Sequence, residues 1–343
     1  MKIIYLSKNM NNYKGAFYQR DMMEEFSRCA DVIFYGPGFE GFDPTENIKK
    51  TVVRLGGADL IIVGHAWLAD TPGLPPDPYP KLCLEECPIP KVMMLNKEYT
   101  NLEEKLEWIC KKNFLYGFSH HHNVSYFTKK TKIPFKFMPL AFNANLFNKP
   151  NQINKDIDFA FCGLLKNNLD NTGQTDSRII TMKKLFHCLG DIPVMKKTRY
   201  EKYKLYWNAI PRNIFMRQAA ILLNKYHFLS TKEYVKLQHR SRTFLNTLSP
   251  LGLISTRFFE NMASQTLVFC EESKNVKRVF PSECYMSFKT DFSDFEERFE
   301  VATSDSNERS KIIQIAFEIA HTHHTWKVRV NSMMNIIDSS MNS

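Results

Sequence analysis

The residues whose types and spacing are best suited to binding and catalysis lie in the stretch STRFFENMASQTLVFCEE, residues 255–272. The pattern predicts a helix whose first turn holds Thr256 and Arg257 and whose middle holds Glu260. Backbone N–H groups at the start of a helix bind anions, and an arginine there adds a positive charge. We therefore expect a phosphate group to bind at this helix start. A surface ion pair between Arg257 and Glu260 is the alternative interpretation.

Acidic residues follow the same helix. An apolar run at Thr266–Cys270 predicts a strand that ends in Glu271 and Glu272. Carboxylates beside a bound phosphate can accept hydrogen bonds from ribose or sugar hydroxyl groups. The helix start and these acids together have the residue types of a nucleotide-sugar site.

Three more residues are candidates for the same site because of their places in predicted elements. Gly163 follows the strand Asp158–Cys162, where the missing side chain lets a ligand come close. Arg178 begins a predicted helix beyond a polar loop, and Asn246 ends another strand. A plain turn glycine and an exposed arginine are the alternatives for the first two.

Candidates for a general base lie in the first half of the chain. His65 follows the predicted strand Asp59–Val63, and Glu98 follows the strand Lys91–Leu95. In open parallel sheets, ligands bind at the carboxyl ends of the strands. We expect Glu98 or His65 to take a proton from a hydroxyl group of an acceptor.

Metal and cofactor chemistry is not expected. The consecutive histidines 120–122 cannot readily converge on one ion, and no acidic pair of the DxD type ends a strand. Cys83 and Cys87 would give zinc only two ligands. The eight cysteines are expected to be reduced thiols, since no secretion signal is recognised.

The net charge of +10 is localised, because residues 196–242 account for the whole excess. Tyrosine, tryptophan and phenylalanine side chains are interspersed there. A basic aromatic surface suits an anionic membrane, nucleic acid or an acidic acceptor, so a non-enzymatic binding protein is an alternative function. A solvated helical face over an aromatic core is the simpler alternative.

The length of 343 residues favours two domains. In the first half, short apolar runs at 1–7, 31–35, 59–63, 91–95 and 114–118 predict strands, and 15–30, 45–55 and 101–111 predict helices. This alternation is typical of a parallel α/β sheet. No segment is long and apolar enough to span a membrane, so we expect a cytoplasmic protein, with peripheral membrane contact only through residues 196–242.

The alternation breaks at the Asn-rich linker 141–155 and then restarts. Predicted strands at 158–162, 243–246, 266–270 and 285–288 alternate with helices at 178–189, 231–242, 255–264, 293–303 and 308–337. We expect two Rossmann-like domains, 1–140 and 156–320, facing a cleft, and a final helix over 321–343.

Several of these segments resemble GT-B glycosyltransferases of the group 1 type, including its spore-protein-like branch. The segments are GHAWLAD after DLIIV, MPLAFNANLF, DIDFAFCG and LNTLSPLGLISTRFFENMASQTLVFCEES. The resemblance is specific only over Tyr234–Ser273, where RFFENMASQTLVFCE is similar to the family's donor-side helix and strand. HTHHTWKVR, residues 321–329, resembles the final helix that returns to the first domain.

The resemblance implies transfer of a sugar from a UDP- or GDP-type donor to a hydroxyl group of a glycan, lipid or protein. Many GT-B enzymes carry a second Glu eight residues after the first, and Val268 stands there in this chain. The resemblance therefore leaves ribose recognition to Glu271 or Glu272. A decayed member that only binds its ligands is a third possibility.

Overall fold

The computed structural model describes residues 1–11, 17–70, 74–98, 100–148, 154–166, 203–210 and 229–341. The chain divides into two compact units, Met1–Pro139 with Trp326–Ser343, and Leu140–Thr325. The sequence-based division instead starts the final helix at residue 321.

The strands are β1 (Lys2–Leu6), β2 (Asp31–Tyr35), β3 (Leu60–Val63), β4 (Lys91–Leu95), β5 (Tyr116–Ser119), β6 (Phe135–Phe137), β7 (Ile157–Lys166), β8 (Tyr203–Ile210), β9 (Ser241–Asn246), β10 (Leu267–Glu271) and β11 (Met286–Phe288). The helices are α1 (Phe17–Cys29), α2 (Ile48–Arg54), α3 (Leu102–Cys110), α4 (Val124–Thr131), α5 (Thr231–Arg240), α6 (Thr256–Ala263), α7 (Lys274–Val279), α8 (Phe295–Thr303), α9 (Asn307–His323) and α10 (Trp326–Met341).

The first unit is built on a parallel sheet with the strand order β2-β1-β3-β4-β5-β6. All residues of β3 and β4 are buried, which is why LIIV and KVMML read as continuous apolar runs apart from Lys91. Strands covered on both faces have this composition because neither face meets water. The final helix α10 packs against α1, and Arg329 Nε donates to the Pro139 carbonyl oxygen at 3.0 Å.

The second unit is built on a parallel sheet with the order β11-β10-β9-β7-β8. Phenylalanine rings fill one face: the centroids of Phe269 and Phe288 lie 4.9 Å apart, and those of Phe159 and Phe299 lie 5.0 Å apart. These aromatic contacts explain the high phenylalanine content in this part of the sequence, since each ring buries a large apolar area.

Over the described ranges the main sequence-based elements are present, with five differences, and the helix predicted at 178–189 lies outside these ranges. Helices α4 and α7 and strand β6 were not predicted, and strand β8 lies inside the basic segment 196–242, of which only 203–210 and 229–242 are described. The helix predicted over 308–337 is wrong as one element. It breaks between α9 and α10, where the Phe142 N–H donates to the His324 carbonyl oxygen at 3.1 Å and Thr325 forms a β-bridge with Phe142.

The described cysteines are free thiols, as predicted for a reduced protein. Over the described ranges, no helix has the length and apolarity needed to cross a membrane.

The ammonium group of Lys155 links several elements of the second unit. Its Nζ donates to the carbonyl oxygens of His239, Ser241 and Ser264 at 3.1, 2.7 and 3.2 Å, and it lies 2.9 Å from Thr266 Oγ1. These oxygens lie at the ends of α5 and α6, where carbonyl groups lack partners within the helix and a positive charge is favourable. Lys155 thereby fixes both helices that line the candidate site described below.

We predict that Lys155→Met destabilises the second unit, because several buried oxygens lose their donor. Leaving buried polar groups unsatisfied costs about 1–3 kcal/mol. Urea unfolding followed by circular dichroism measures the change, with exposed Lys236→Met on α5 as the matched control. Equal unfolding midpoints for the two variants would contradict this role of Lys155.

Candidate functional site

The N-terminus of α6 lies in the second unit and has backbone donors available. Ser255 occupies the N-cap position in an extended conformation, but its side chain makes no capping hydrogen bond. The Ser255 Oγ atom is buried and has no hydrogen-bond partner. The N–H groups of the first turn are therefore not used by their own cap, which suits an anion.

Arg257 connects this helix start to strand β7. Its guanidinium group donates to the Cys162 carbonyl oxygen, and its central carbon lies 5.8 Å from the centroid of the Phe161 ring. A cation over an aromatic face is stabilised by the ring quadrupole. The half-buried arginine is thereby held close to the first turn of its own helix.

Gly163 makes this arrangement possible. A Cβ atom at this position would lie 2.7 Å from Arg257 Nη1 and 2.8 Å from Phe161 Cζ. Either side chain would have to move to admit even an alanine. The sequence predicts a close approach to Gly163, and in the structure the Arg257 guanidinium group makes this approach.

Glu260 lies one turn further along α6 and is 1% exposed. Its Oε2 accepts hydrogen bonds from Tyr234 Oη at 2.5 Å and Gln238 Nε2 at 3.4 Å. Burial raises the pKa of Glu260 to about 7 against the opposing effect of these hydrogen bonds. A surface ion pair with Arg257 is therefore the wrong interpretation for this carboxylate.

Helix α5 supplies two partners of Glu260, and the third, Thr256, lies in the first turn of α6 itself. The start of α5 is well defined. Ser230 and Glu233 form a capping box, in which each side chain bonds the backbone N–H group of the other residue. The capping box fixes the first turn of α5 and so fixes the direction in which the Tyr234 side chain points. Sequence reasoning missed Tyr234, although the pattern Ser-x-x-Glu before it marks a helix start.

Asn246 ends β9 but is 1% exposed. Its Oδ1 accepts from Asn261 Nδ2 at 3.1 Å, and its Nδ2 donates to the Phe244 carbonyl oxygen at 2.9 Å. The Asn246 side chain therefore connects β9 to α6.

The two acids after β10 differ in exposure: Glu271 is half-buried and Glu272 is exposed. Arg178 lies outside the described residues.

The first unit has its own cluster of polar residues at the carboxyl ends of β3, β4 and β5. His65 and His120 lie side by side, with ring centroids 4.4 Å apart. His120 Nδ1 lies 2.7 Å from the Met138 carbonyl oxygen, which makes it the donor and leaves Nε2 as an acceptor. Neither His65 Nδ1 nor His120 Nε2 has a hydrogen-bond partner. His120 can accept one further hydrogen bond at Nε2, and His65 Nδ1 can pair with one further group.

Burial keeps both rings neutral. It lowers the pKa of His65 well below its usual value, with the neighbouring His120 contributing, and it lowers the pKa of His120 to about 4. The sequence interpretation treated residues 120–122 only as weak metal ligands and so missed this pair. Applying the strand-end argument to β5 would have found His120.

Glu98 lies at the same edge of the sheet but has a different environment. It is 1% exposed, and its Oε1 accepts a hydrogen bond from Ser119 Oγ at 2.5 Å. Burial raises its pKa above the usual value. Across the described ranges, no three or more histidine, cysteine or acidic side chains are arranged to hold a metal ion.

The comparisons with known proteins concern both units. Residues 182–335, somewhat less than half of the chain, match the family model described as glycosyl transferase-like. A comparison with curated proteins gives no significant match.

Among solved structures, the chain is similar to HepE (Alr3699) of Anabaena in complex with UDP and glucose, with 11% identity and a TM-score of 0.60 over 99% of this chain and 100% of that one. It is similar to sucrose-phosphate synthase from Thermosynechococcus elongatus, with 10% identity and a TM-score of 0.63 over 100% and 99% of the chains. A glycosyltransferase from Rickettsia africae gives 10% identity and a TM-score of 0.62 over 99% and 98%.

At these identities the structural likeness establishes the fold. The protein has two α/β units with parallel sheets, which is the architecture of the GT-B class. The predicted fold class and the predicted resemblance to GT-B glycosyltransferases are confirmed. Membership of the spore-protein-like branch stays a prediction.

We predict that Glu260 makes stability depend on pH. Its folded pKa of about 7 lies above the ordinary value of 4.5, so the folded state holds the proton more tightly. Stability is then highest below about pH 4.5 for this group and decreases as the pH rises to 7, by on the order of 3 kcal/mol. Urea unfolding between pH 4.5 and 8 should show this slope in the wild type and a smaller slope in Glu260→Gln. Parallel profiles would be the contrary result.

We also predict that His120 stays neutral across the physiological range, because burial lowers its pKa to about 4. In an NMR titration of ¹³C-labelled histidine, its Cε1 resonance should not move between pH 5.5 and 7.5. His120→Gln assigns the signal by its loss. A midpoint near 6.5 would contradict the buried, neutral pair.

Proposed function

We propose that the protein is a glycosyltransferase of enzyme class EC 2.4 that moves a sugar from a nucleotide-diphosphate sugar to a hydroxyl group of an acceptor. The donor is a UDP- or GDP-type sugar, and the acceptor is a glycan, lipid or protein. No metal ion or cofactor takes part in the proposed reaction. The confirmed GT-B resemblance and the two polar clusters support this proposal.

The observation that carries the proposal is the start of α6. It combines backbone N–H groups not used by the cap, the hydroxyl group of Ser255 and the guanidinium group of Arg257, while the Thr256 hydroxyl group already bonds Glu260. Negative charge builds on the diphosphate as the bond to the sugar breaks. Donors fixed in advance around that charge stabilise the transition state most effectively. In the proposed reaction, Arg257 and the helix N-terminus perform this role.

The remaining predicted donor residues divide into two groups. Glu271 and Glu272 follow β10 with at least partly exposed side chains, and they are the proposed acceptors for ribose or sugar hydroxyl groups. Gly163, Asn246 and Glu260 support the site from within, through the contacts described above. Arg178 stays a proposed phosphate contact.

The first unit is proposed to activate the acceptor hydroxyl group. Both bases predicted from sequence keep one buried atom without a hydrogen-bond partner, His65 Nδ1 and Glu98 Oε2, but the other Glu98 oxygen already accepts a hydrogen bond from Ser119. His65, with His120 beside it, is therefore the favoured general base. The imidazole is neutral at pH 7 and so has a lone pair for the proton, although its lowered pKa makes it a weaker base than an exposed histidine.

We predict that Arg257→Ala weakens binding of UDP or GDP, whichever the wild type prefers. Loss of a hydrogen bond to a charged group costs about 1–3 kcal/mol, which is roughly 5- to 150-fold in Kd. Isothermal titration calorimetry measures the change. Arg298→Ala on α8 is the matched control, because this partly exposed arginine is not near the start of α6 in sequence or in its ion-pair contacts.

Two results would contradict the proposal. If the wild type binds no nucleotide diphosphate at any tested concentration, the donor site is wrong. If Arg257→Ala and Arg298→Ala change Kd equally, binding occurs elsewhere. Donor binding without glycosyl transfer to any acceptor, or hydrolysis of the donor, would favour the decayed binding subunit.

A further inference from the structure

We infer that Glu98 is a positioning residue, whose carboxyl group holds the backbone that carries His120 through the hydroxyl group of Ser119. The inference relies on the proposed function only for its catalytic readout. The place of Glu98 after strand β4 favours a general base, and the geometry assigns it this different task.

The hydroxyl group of Ser119 is the central element of the connection. It donates its only proton to Glu98 Oε1 at 2.5 Å, and its oxygen accepts the His121 N–H at 3.0 Å. A hydroxyl group has one donor, so the bond to Glu98 fixes which way the proton points. Ser119 is 1% exposed, so water does not readily replace either partner. The peptide that joins His120 to His121 is thus held from one side by Glu98.

The other side of His120 is held by its ring. Nδ1 lies 2.7 Å from the Met138 carbonyl oxygen, and the ring lies against His65. The backbone contact and the ring contact together define the orientation of the free Nε2 atom. Loss of the backbone contact would let the segment after β5 turn, and the ring would move with it.

Glu98 is itself held in place by a buried lysine. Lys105 on α3 has a side chain that is 1% exposed, and its Nζ donates to the carbonyl oxygens of Asn96 and Lys97 at 3.1 and 3.4 Å. The same ammonium group pairs with Asp70 Oδ1 at 2.8 Å. Lys97 adopts a left-handed conformation with φ of 51°, which turns the chain towards Glu98.

The contacts and the burial of Glu98 fit holding. Its Oε1 is used by the Ser119 hydroxyl group, and only Oε2 lacks a hydrogen-bond partner. Burial also raises the pKa of this carboxyl group, which favours the neutral form. A neutral carboxyl group still accepts the Ser119 hydrogen bond through its carbonyl oxygen, so holding does not require charge.

Glutamine at position 98 separates the two roles. Glu98→Gln keeps a carbonyl oxygen for Ser119 but cannot act as a base, whereas Glu98→Ala removes the acceptor. Ser119→Ala removes the link itself. Exposed Glu104→Gln on α3 is the matched control.

The first measurement is the His120 Cε1 resonance in ¹³C-histidine-labelled full-length protein. We expect it to stay at the wild-type position in Glu98→Gln and Glu104→Gln, and to shift in Glu98→Ala and Ser119→Ala. The other histidine signals report whether each variant is folded. An unshifted His120 signal in folded Glu98→Ala or folded Ser119→Ala would overturn the inference.

The second measurement is kcat with a nucleotide-sugar donor. We expect Glu98→Gln to keep kcat within about tenfold of the wild type, because losing a true general base costs about 10²–10⁴-fold. The double variant Glu98→Ala/Ser119→Ala should be no slower than either single variant, since both break one connection. Loss of two orders of magnitude in Glu98→Gln with an unchanged His120 signal would establish a base and overturn the inference. If no donor is turned over by the wild type, the proposed function fails, and the NMR result still decides the role of Glu98.

Discussion

The contact between the Arg257 guanidinium group and the carboxyl-terminal part of β7 is the interaction on which the candidate donor site depends. It joins the first turn of α6 to the Cys162 carbonyl oxygen and the Phe161 ring. A side chain at position 163 would displace the Arg257 guanidinium group, which explains why glycine occupies this position. In the proposed reaction, the guanidinium group held by these contacts meets the phosphate at the helix N-terminus, and a site organised before binding loses less entropy when the ligand arrives.

Both units bury polar side chains close to the candidate sites, but only some of them have all their hydrogen-bond partners. In the second unit, Glu260 on α6 and Asn246 at the end of β9 are satisfied by neighbours, whereas Ser255 Oγ has no partner. In the first unit, His65, His120 and Glu98 each keep one atom without a partner. Buried polar atoms without partners are costly, so such atoms in a folded protein require an explanation. In the proposed reaction, the phosphate and the acceptor hydroxyl group supply such partners.

The strand and helix patterns predicted most of the two sheets, because buried parallel strands are apolar runs that can be recognised locally. The break between α9 and α10 was missed because it depends on Phe142, a residue far away in the sequence. The strand-end rule selected His65 and Glu98 but could not distinguish them, since the hydrogen bond between Glu98 and Ser119 joins two different strands. Tyr234 was missed for the same reason, because its partner Glu260 lies on another helix.

The central claim is that the start of α6 recognises a diphosphate. Comparing the wild-type affinities for uridine, UMP and UDP, and for guanosine, GMP and GDP, tests this claim most directly by thermal shift and calorimetry. We expect the affinity in one series to rise markedly when the second phosphate is added. This rise should become smaller as the salt concentration increases. Equal affinity for the monophosphate and the diphosphate in both series would contradict it.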